Sequence, residues 1–505
     1  MRTSTLTWIA SVLLGFQLGG FVTGAVAVAQ RTRGAYTDVR KLPDGPVGER
    51  IRELIDTINS NDEGKVRAFI ETRFTPSFRD FAPMEQHFQI FRQVYDQSRG
   101  FEFYGVRKYE AETPADEFVV IVGNRLTRGW EALVMHVETK PPHRIAGLQF
   151  QPARPPSDLP APKILSDPEI VEELRTLVDR LAQADAFSGA VLLAKDGKVL
   201  FKQAYGLASK RFNVPNKIDT KFNLGSMNKM FTGVAILQLV QRGKLSLDDP
   251  LSKSLSTEWL PREITDKVKI KHLLTHTSGL GSYFSDKFME SSRALYRELD
   301  DYKPLIAEST LAFEPGTDWQ YSNSGMFLLG VVIEKVSGQS YFDYVRGNIY
   351  KPAGMINTDC YDMDKPVVNL AIGYSRERTK DGPQWTNNLY KHVIRGGPAG
   401  GGFSTVEDLL RFDIALRSHR LLSPEYTEMV WTGKPELNSP DYGFGFAVQG
   451  TSGDRIVGHG GGFPGINSNL DMFLDSGYTA VVMSNYDMGA HPVASKIKEL
   501  LAARR

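Results

Sequence analysis

The sequence predicts an α+β protein made of two domains of unequal size. Three observations carry that expectation. Amphipathic helical stripes precede runs of β-type residues near the N-terminus, a proline-crowded stretch follows, and strand-like segments then bracket a long, mostly helical middle. At 505 residues the chain is long enough for two or three domains, each with its own core.

At the N-terminus, Arg2 precedes an uncharged, mostly apolar run over residues 8–29 that ends in Ala27-Val28-Ala29, the small-x-small pattern cut by signal peptidases. Residues 1–29 therefore read as a signal peptide. The run is also long enough to span a bilayer, so an uncleaved membrane anchor is the alternative. No cysteine is present there to carry a lipid.

Val47, Ile51, Leu54, Ile55 and Ile58 fall on one face of a helix and open a small α+β domain over residues 38–150. Helical pattern around residues 85–95 is followed by strand-like runs at 118–122, 130–138 and 145–150. This order is loosely similar to that of the cone-shaped, nuclear-transport-factor-like domains that precede some exported enzymes. Pro152, Pro155, Pro156, Pro160 and Pro162 then crowd into a stretch that favours extended chain, and residues 151–166 are read as the linker.

The second domain, residues 167–505, begins with a helical stripe at Ile170, Leu174, Leu177, Val178 and Leu181. Asp196-Gly197 between two apolar runs, 190–193 and 199–201, signals a hairpin. Strand-like segments return at 443–448, 456–457, 467–473 and 478–483, before a terminal helix rich in Ala, Lys and Leu. Such an order suits one antiparallel sheet shared by the first hairpin and the last strands, with helices upon it and a helical insert.

Composition narrows the function. Lys and Arg number 60 against 59 Asp and Glu, a net charge of +1 without a basic block, so no nucleic-acid partner is expected. A small, neutral or mixed-charge ligand fits better. Cys360 is the single cysteine: it cannot form an intrachain disulfide, lacks a nucleophile signature, and leaves no zinc-type Cys/His spacing. Neither a metal nor another cofactor is expected. An exported chain without disulfides suits a bacterial periplasm or cell surface.

Three clusters could carry chemistry. Gly225-Ser226-Met227-Asn228-Lys229 leads into an apolar helix, and a separation of three puts Ser226 and Lys229 on one face. A serine hydroxyl needs a neighbouring base to act as a nucleophile, and a desolvated lysine can be that base. Taken alone the pair is equally compatible with a helix start and a solvated lysine. In Tyr321-Ser322-Asn323, Tyr321 could relay a proton if cations favoured its phenolate and Asn323 could bond a substrate carbonyl, or the triplet could simply cap a helix. In the glycine-rich 458–465 stretch, bare backbone can approach a ligand closely, or form a loop with a surface histidine. His272 and His276, without an acidic partner in sequence, read as groups that fix a loop.

Together the ordered motifs resemble the serine β-lactamase and penicillin-binding protein superfamily, in its class C-like branch of esterases, D-peptidases and β-lactamases. The likeness covers about residues 170–501. Ser226 to Lys229 matches the S-x-x-K motif, Tyr321 to Asn323 the Tyr-x-Asn motif, and His459-Gly460-Gly461 the Lys/His-x-Gly strand. The 270–280 and 398–409 stretches also look like segments of that branch.

The resemblance implies a β-lactamase/transpeptidase-like fold in which Ser226 attacks a carbonyl and Lys229 and Tyr321 handle its proton. It further implies that Asn323, His459 and Gly461 bind substrate, and that the backbone N–H groups of Ser226 and Gly462 form the oxyanion hole. His459 stands where many β-lactamases and transpeptidases carry lysine, which weakens carboxylate recognition. The expectation is an exported serine hydrolase cleaving an ester or amide, esterase-like or D-amino-acid peptidase-like. The alternatives are a penicillin-binding protein or DD-carboxypeptidase, a β-lactamase, and a non-catalytic scaffold.

Overall fold

The stripe at Ile51, Leu54, Ile55 and Ile58 forms the buried face of the helix Pro46–Ser60 in the computed structural model, which describes residues 34–160, 163–379 and 382–502. The leader read at 1–29 lies outside the described residues. Contacts divide the chain into two compact units, Met1–Ser166 with Arg175–Ala186, and Asp167–Leu174 with Phe187–Arg505.

In the first unit the helices Pro46–Ser60, Glu63–Arg73 and Met84–Ser98 cover one face of a five-stranded antiparallel sheet. Its strands are Tyr36–Val39, Phe101–Tyr109, Glu117–Asn124, Trp130–Val137 and Ile145–Pro152, paired in sequence order. The sheet thus starts two residues before the boundary read at 38 and includes two strands the sequence pattern did not signal. Tyr36–Val39 is only four residues long, and Phe101–Tyr109 is broken by a bulge between Phe103 and Gly105, which disturbs its alternation.

The proline-rich stretch is no free spacer, because its described part straps onto this sheet. Tyr36 donates to the Pro155 carbonyl at 2.9 Å, the buried Arg107–Asp38 pair reaches the Arg154 carbonyl at 2.9 Å and the Ser157 N–H at 2.8 Å, and Arg40 pairs with Asp158 at 2.7 Å. Proline removes backbone donors, so the carbonyls of this extended chain take bonds from side chains.

The second unit is built on a six-stranded antiparallel sheet in the order Ala447–Gln449, Ile456–Phe463, Ile466–Phe473, Tyr478–Ser484, Gly189–Lys195, Lys198–Tyr205. First hairpin and last strands do share one sheet, with Val481 opposite Leu192. Asp196 and Gly197 both have positive φ, 49° and 74°, the conformation of a two-residue hairpin turn. The helices Val406–Arg417 and Ala490–Ala502 pack on the sheet, and a helical region lies between Gly225 and Trp431.

At the centre runs the helix Asn228–Gln241, buried from Asn228 to Leu239, as expected of a helix apolar on all sides. The 443–448 stretch pairs only from Ala447 onward. Before that it lies against this helix, where a Cβ at Gly233 would come within 2.2 Å of the Phe444 carbonyl oxygen. The 458–463 glycines, in turn, are strand rather than loop. A polar hairpin, Tyr374–Thr379 with Gly382–Asn387, was not legible because its sequence lacks an apolar alternation.

Candidate active site

Ser226 lies in the 3₁₀ turn Gly225–Met227 that feeds the buried helix. The turn is held by Asn223, whose Oδ1 accepts from the Gly225 N–H at 2.8 Å. Gly225 has φ 50°, and a Cβ there would come within 2.9 Å of the Gly462 nitrogen. At Gly461 a Cβ would lie 1.9 Å from the Leu224 oxygen. Glycine at both places lets the strand Ile456–Phe463 run backbone to backbone against the serine turn.

Lys229 is fully buried one turn further on. Its Nζ donates to Asn323 Oδ1 at 2.9 Å and to the Ala399 carbonyl at 2.6 Å, and stands 4.8 Å from the centre of the Tyr321 ring. Burial pushes its pKa well below the usual 10.5. A neutral amine has two N–H donors and one lone pair, so the two bonds use both donors and leave the lone pair for a proton.

Ser226 acts on Tyr321 in favour of the phenolate, yet burial dominates and raises its pKa above 10.0. It is therefore a phenol, not the phenolate that nearby cations would favour, because burial penalises the charged form. Ser322 caps the helix Asn323–Ser337 by accepting from the Gly325 N–H at 2.8 Å, which places Asn323 at the first turn facing Lys229. The amide of Asn323 also donates to Ser282 Oγ at 3.2 Å.

His276 fixes this arrangement. With φ 61° it turns the chain, its carbonyl accepts from the Gln320 N–H at 2.9 Å, and its Nδ1 accepts from the Ser322 N–H at 3.1 Å. Tyr321 is thus bracketed from both sides, and the His276 ring packs 4.4 Å from the tyrosine ring. Burial holds His276 well below 6.5 and so neutral. His272 likewise accepts from the Lys269 N–H at 3.2 Å at the head of a short helix.

A cavity open to solvent is lined by Ser226, Asn323 and Gly462 among others. Lys229, Tyr321, His459 and Gly461 do not line it. His459 is buried behind the site, its Nε2 3.0 Å from the Tyr442 hydroxyl and its Nδ1 2.5 Å from the Gly460 carbonyl, and burial drives its pKa down to about 3. Alternation along the strand puts His459 and Gly461 on the face opposite Gly462. Spacing did not reveal the Ala399 carbonyl, which is backbone, nor the rings of the cavity wall, though Tyr283 and Phe284 come soon after the Thr-Ser-Gly turn of Thr277-Ser278-Gly279. Cys360 is buried with its thiol pushed up to about 12, hence unreactive. No His, Cys, Asp or Glu cluster fit for a metal occurs among the described residues, and none of their helices is long and apolar enough to cross a membrane.

Fold and site together define a serine hydrolase, and comparison with known proteins gives its family. The family model "Beta-lactamase" matches residues 174–504, and the chain belongs to that family. It is 33% identical over 327 residues to penicillin-binding protein 4* of Bacillus subtilis (strain 168), covering 62% of this chain and 71% of that protein. To esterase EstB of Burkholderia gladioli it is 28% identical over 388 residues, covering 66% of this chain and 96% of the esterase. The crystal structure of a penicillin-binding protein from Bacillus halodurans superposes with a TM-score of 0.57 at 31% identity, covering 66% of this chain and 99% of that one.

Proposed function

We propose that the protein hydrolyses uncharged esters or amides through an acyl-enzyme on Ser226. The observation that carries this reading is the fully buried Lys229 amine, its pKa lowered by burial and its Nζ held by Asn323 and Ala399 beside the Tyr321 ring. Ser226 Oγ attacks the substrate carbonyl carbon as its proton passes to the Lys229 lone pair. The tetrahedral oxyanion sits against the backbone N–H groups of Ser226 and Gly462, preorganised donors of the kind whose loss costs about 100- to 1000-fold in rate. The carbonyl–leaving-group bond then breaks, and Tyr321 hands the departing group a proton while being reprotonated from Lys229. Water adds to the acyl carbon with its proton returned through the same pair, and Ser226 is released.

Similarity to EstB and to penicillin-binding protein 4* supports an ester or amide as substrate. The neutral His459 favours esterase-like over carboxylate-recognising chemistry. The apolar run at 8–29 supports export, to a periplasm or cell surface. The test is intact-mass spectrometry with p-nitrophenyl butyrate and, separately, a fluorescent penicillin. Rapid ester turnover without a lasting penicillin adduct is expected. A stable penicillin adduct with little ester turnover would make the protein a penicillin-binding protein instead, and an adduct that persists in Ser226→Ala would remove Ser226 from the mechanism.

A further inference from the structure

The cavity beside Ser226 is walled by six aromatic rings from separate parts of the chain. Tyr283 and Phe284 come from the loop after the Thr-Ser-Gly turn, Phe288 from the helix Asp286–Glu290, and Tyr302 from the turn Leu299–Tyr302. Phe327 comes from the helix Asn323–Ser337 and Phe463 from the end of the glycine-rich strand. They support one another. Tyr283 lies 5.2 Å from Tyr302 and 5.5 Å from Phe327, Tyr302 lies 4.4 Å from Phe327, and Phe284 faces Phe463 at 5.8 Å. Phe284 is 37% exposed while Phe288 and Phe327 are buried, so the wall runs from an open rim to a closed floor.

No Lys, Arg, Asp or Glu lines this cavity among the described residues. Of the basic side chains nearby, Lys229 is committed to Asn323 and Ala399, His459 lies behind the site, and Arg293 sits on the Phe288 ring with its guanidinium donating to the Phe288 and Ser291 carbonyls. His392, in the wall, is engaged through Nε2 with Asn223 at 2.6 Å and through Nδ1 with the Val393 carbonyl at 2.6 Å. A carboxylate placed here would be stripped of water without gaining a counter-ion, which is unfavourable. An aromatic group would gain ring contacts and lose apolar surface to water.

We propose that this cavity selects substrates carrying an aryl or arylalkyl group next to the scissile carbonyl and rejects those carrying a carboxylate in its place. The proposal rests on the reading of Ser226 as nucleophile, and it specifies the substrate class.

The test is protection of Ser226 from a small fluorophosphonate label by 2-phenylethylboronic, ethylboronic and 2-carboxyethylboronic acids. The phenyl compound is expected to protect at a concentration roughly 10-fold lower than the ethyl compound, and the carboxylate at one roughly 10-fold higher. Phe284→Ala, at the exposed rim, should shrink the phenyl advantage. Equal protection by all three, or the carboxylate as the best, would overturn the proposal. Failure of Ser226 to label at all would instead refute the nucleophile reading. Calorimetry of 3-phenylpropionamide against propionamide on Ser226→Ala then decides the cavity by itself: tighter binding of the phenyl amide supports the proposal and equal binding overturns it.

Discussion

In the proposed mechanism the buried Lys229 is the chemical centre. Burial favours loss of its proton, and its two contacts with Asn323 and Ala399 match the two donors that a neutral amine retains. Replacing it by a residue of similar shape but no base, Lys229→Met, is expected to slow acylation about 100- to 10,000-fold, the usual contribution of a positioned general base, with the fold kept. Stopped-flow acylation and circular dichroism check the two halves of that statement. Tyr321→Phe keeps the ring against His276 but deletes the proton carrier, so deacylation should slow and acyl-enzyme should accumulate in mass spectra. Unchanged turnover would exclude Tyr321. His276 acts one step removed, holding Tyr321 through Ser322 and Gln320, so His276→Ala should lower kcat with little effect on KM.

At the scale of elements, the site is a meeting of one helix start, a second helix start and a strand edge. The strand can approach only because Gly225 and Gly461 lack side chains, and Gly461→Ala is expected to cost about 1–3 kcal/mol of stability by overpacking against the Leu224 carbonyl. Urea denaturation measures that cost, and a neutral result would mean the strand is free to shift. These elements explain which residues were legible in the sequence. Ser226, Lys229, Tyr321 and Asn323 sit at helix starts whose spacing fixes which side chains share a face. For His459 the motif gives the position but not which face of the strand it occupies, and there its ring meets the Tyr442 hydroxyl. The aromatic wall was hidden for a different reason: its rings come from segments that only tertiary packing brings together. The proline-rich strap was hidden likewise, since composition signals extended chain but not what Arg107 and Tyr36 bind.

For the whole molecule, buried neutral histidines tie stability to pH. His459 has a folded pKa of about 3 against an ordinary 6.5. Between those values the unfolded chain binds the extra proton, so the contribution of His459 is fully present above about pH 6.5 and is lost as pH falls toward 3. The stability gap between wild type and His459→Gln should therefore narrow on acidification from pH 7 to pH 4.5, as read from urea midpoints. A gap that is constant across that range would mean the imidazole titrates normally. The central claim is that a buried, uncharged lysine activates Ser226, and the rate of Ser226 labelling by a fluorophosphonate against pH tests it most directly. The account predicts a plateau already reached well below pH 10.5, a limb that falls only on the acid side, and loss of that limb in Lys229→Met. A rate that climbs continuously toward pH 10.5, or a limb unchanged in Lys229→Met, would contradict it.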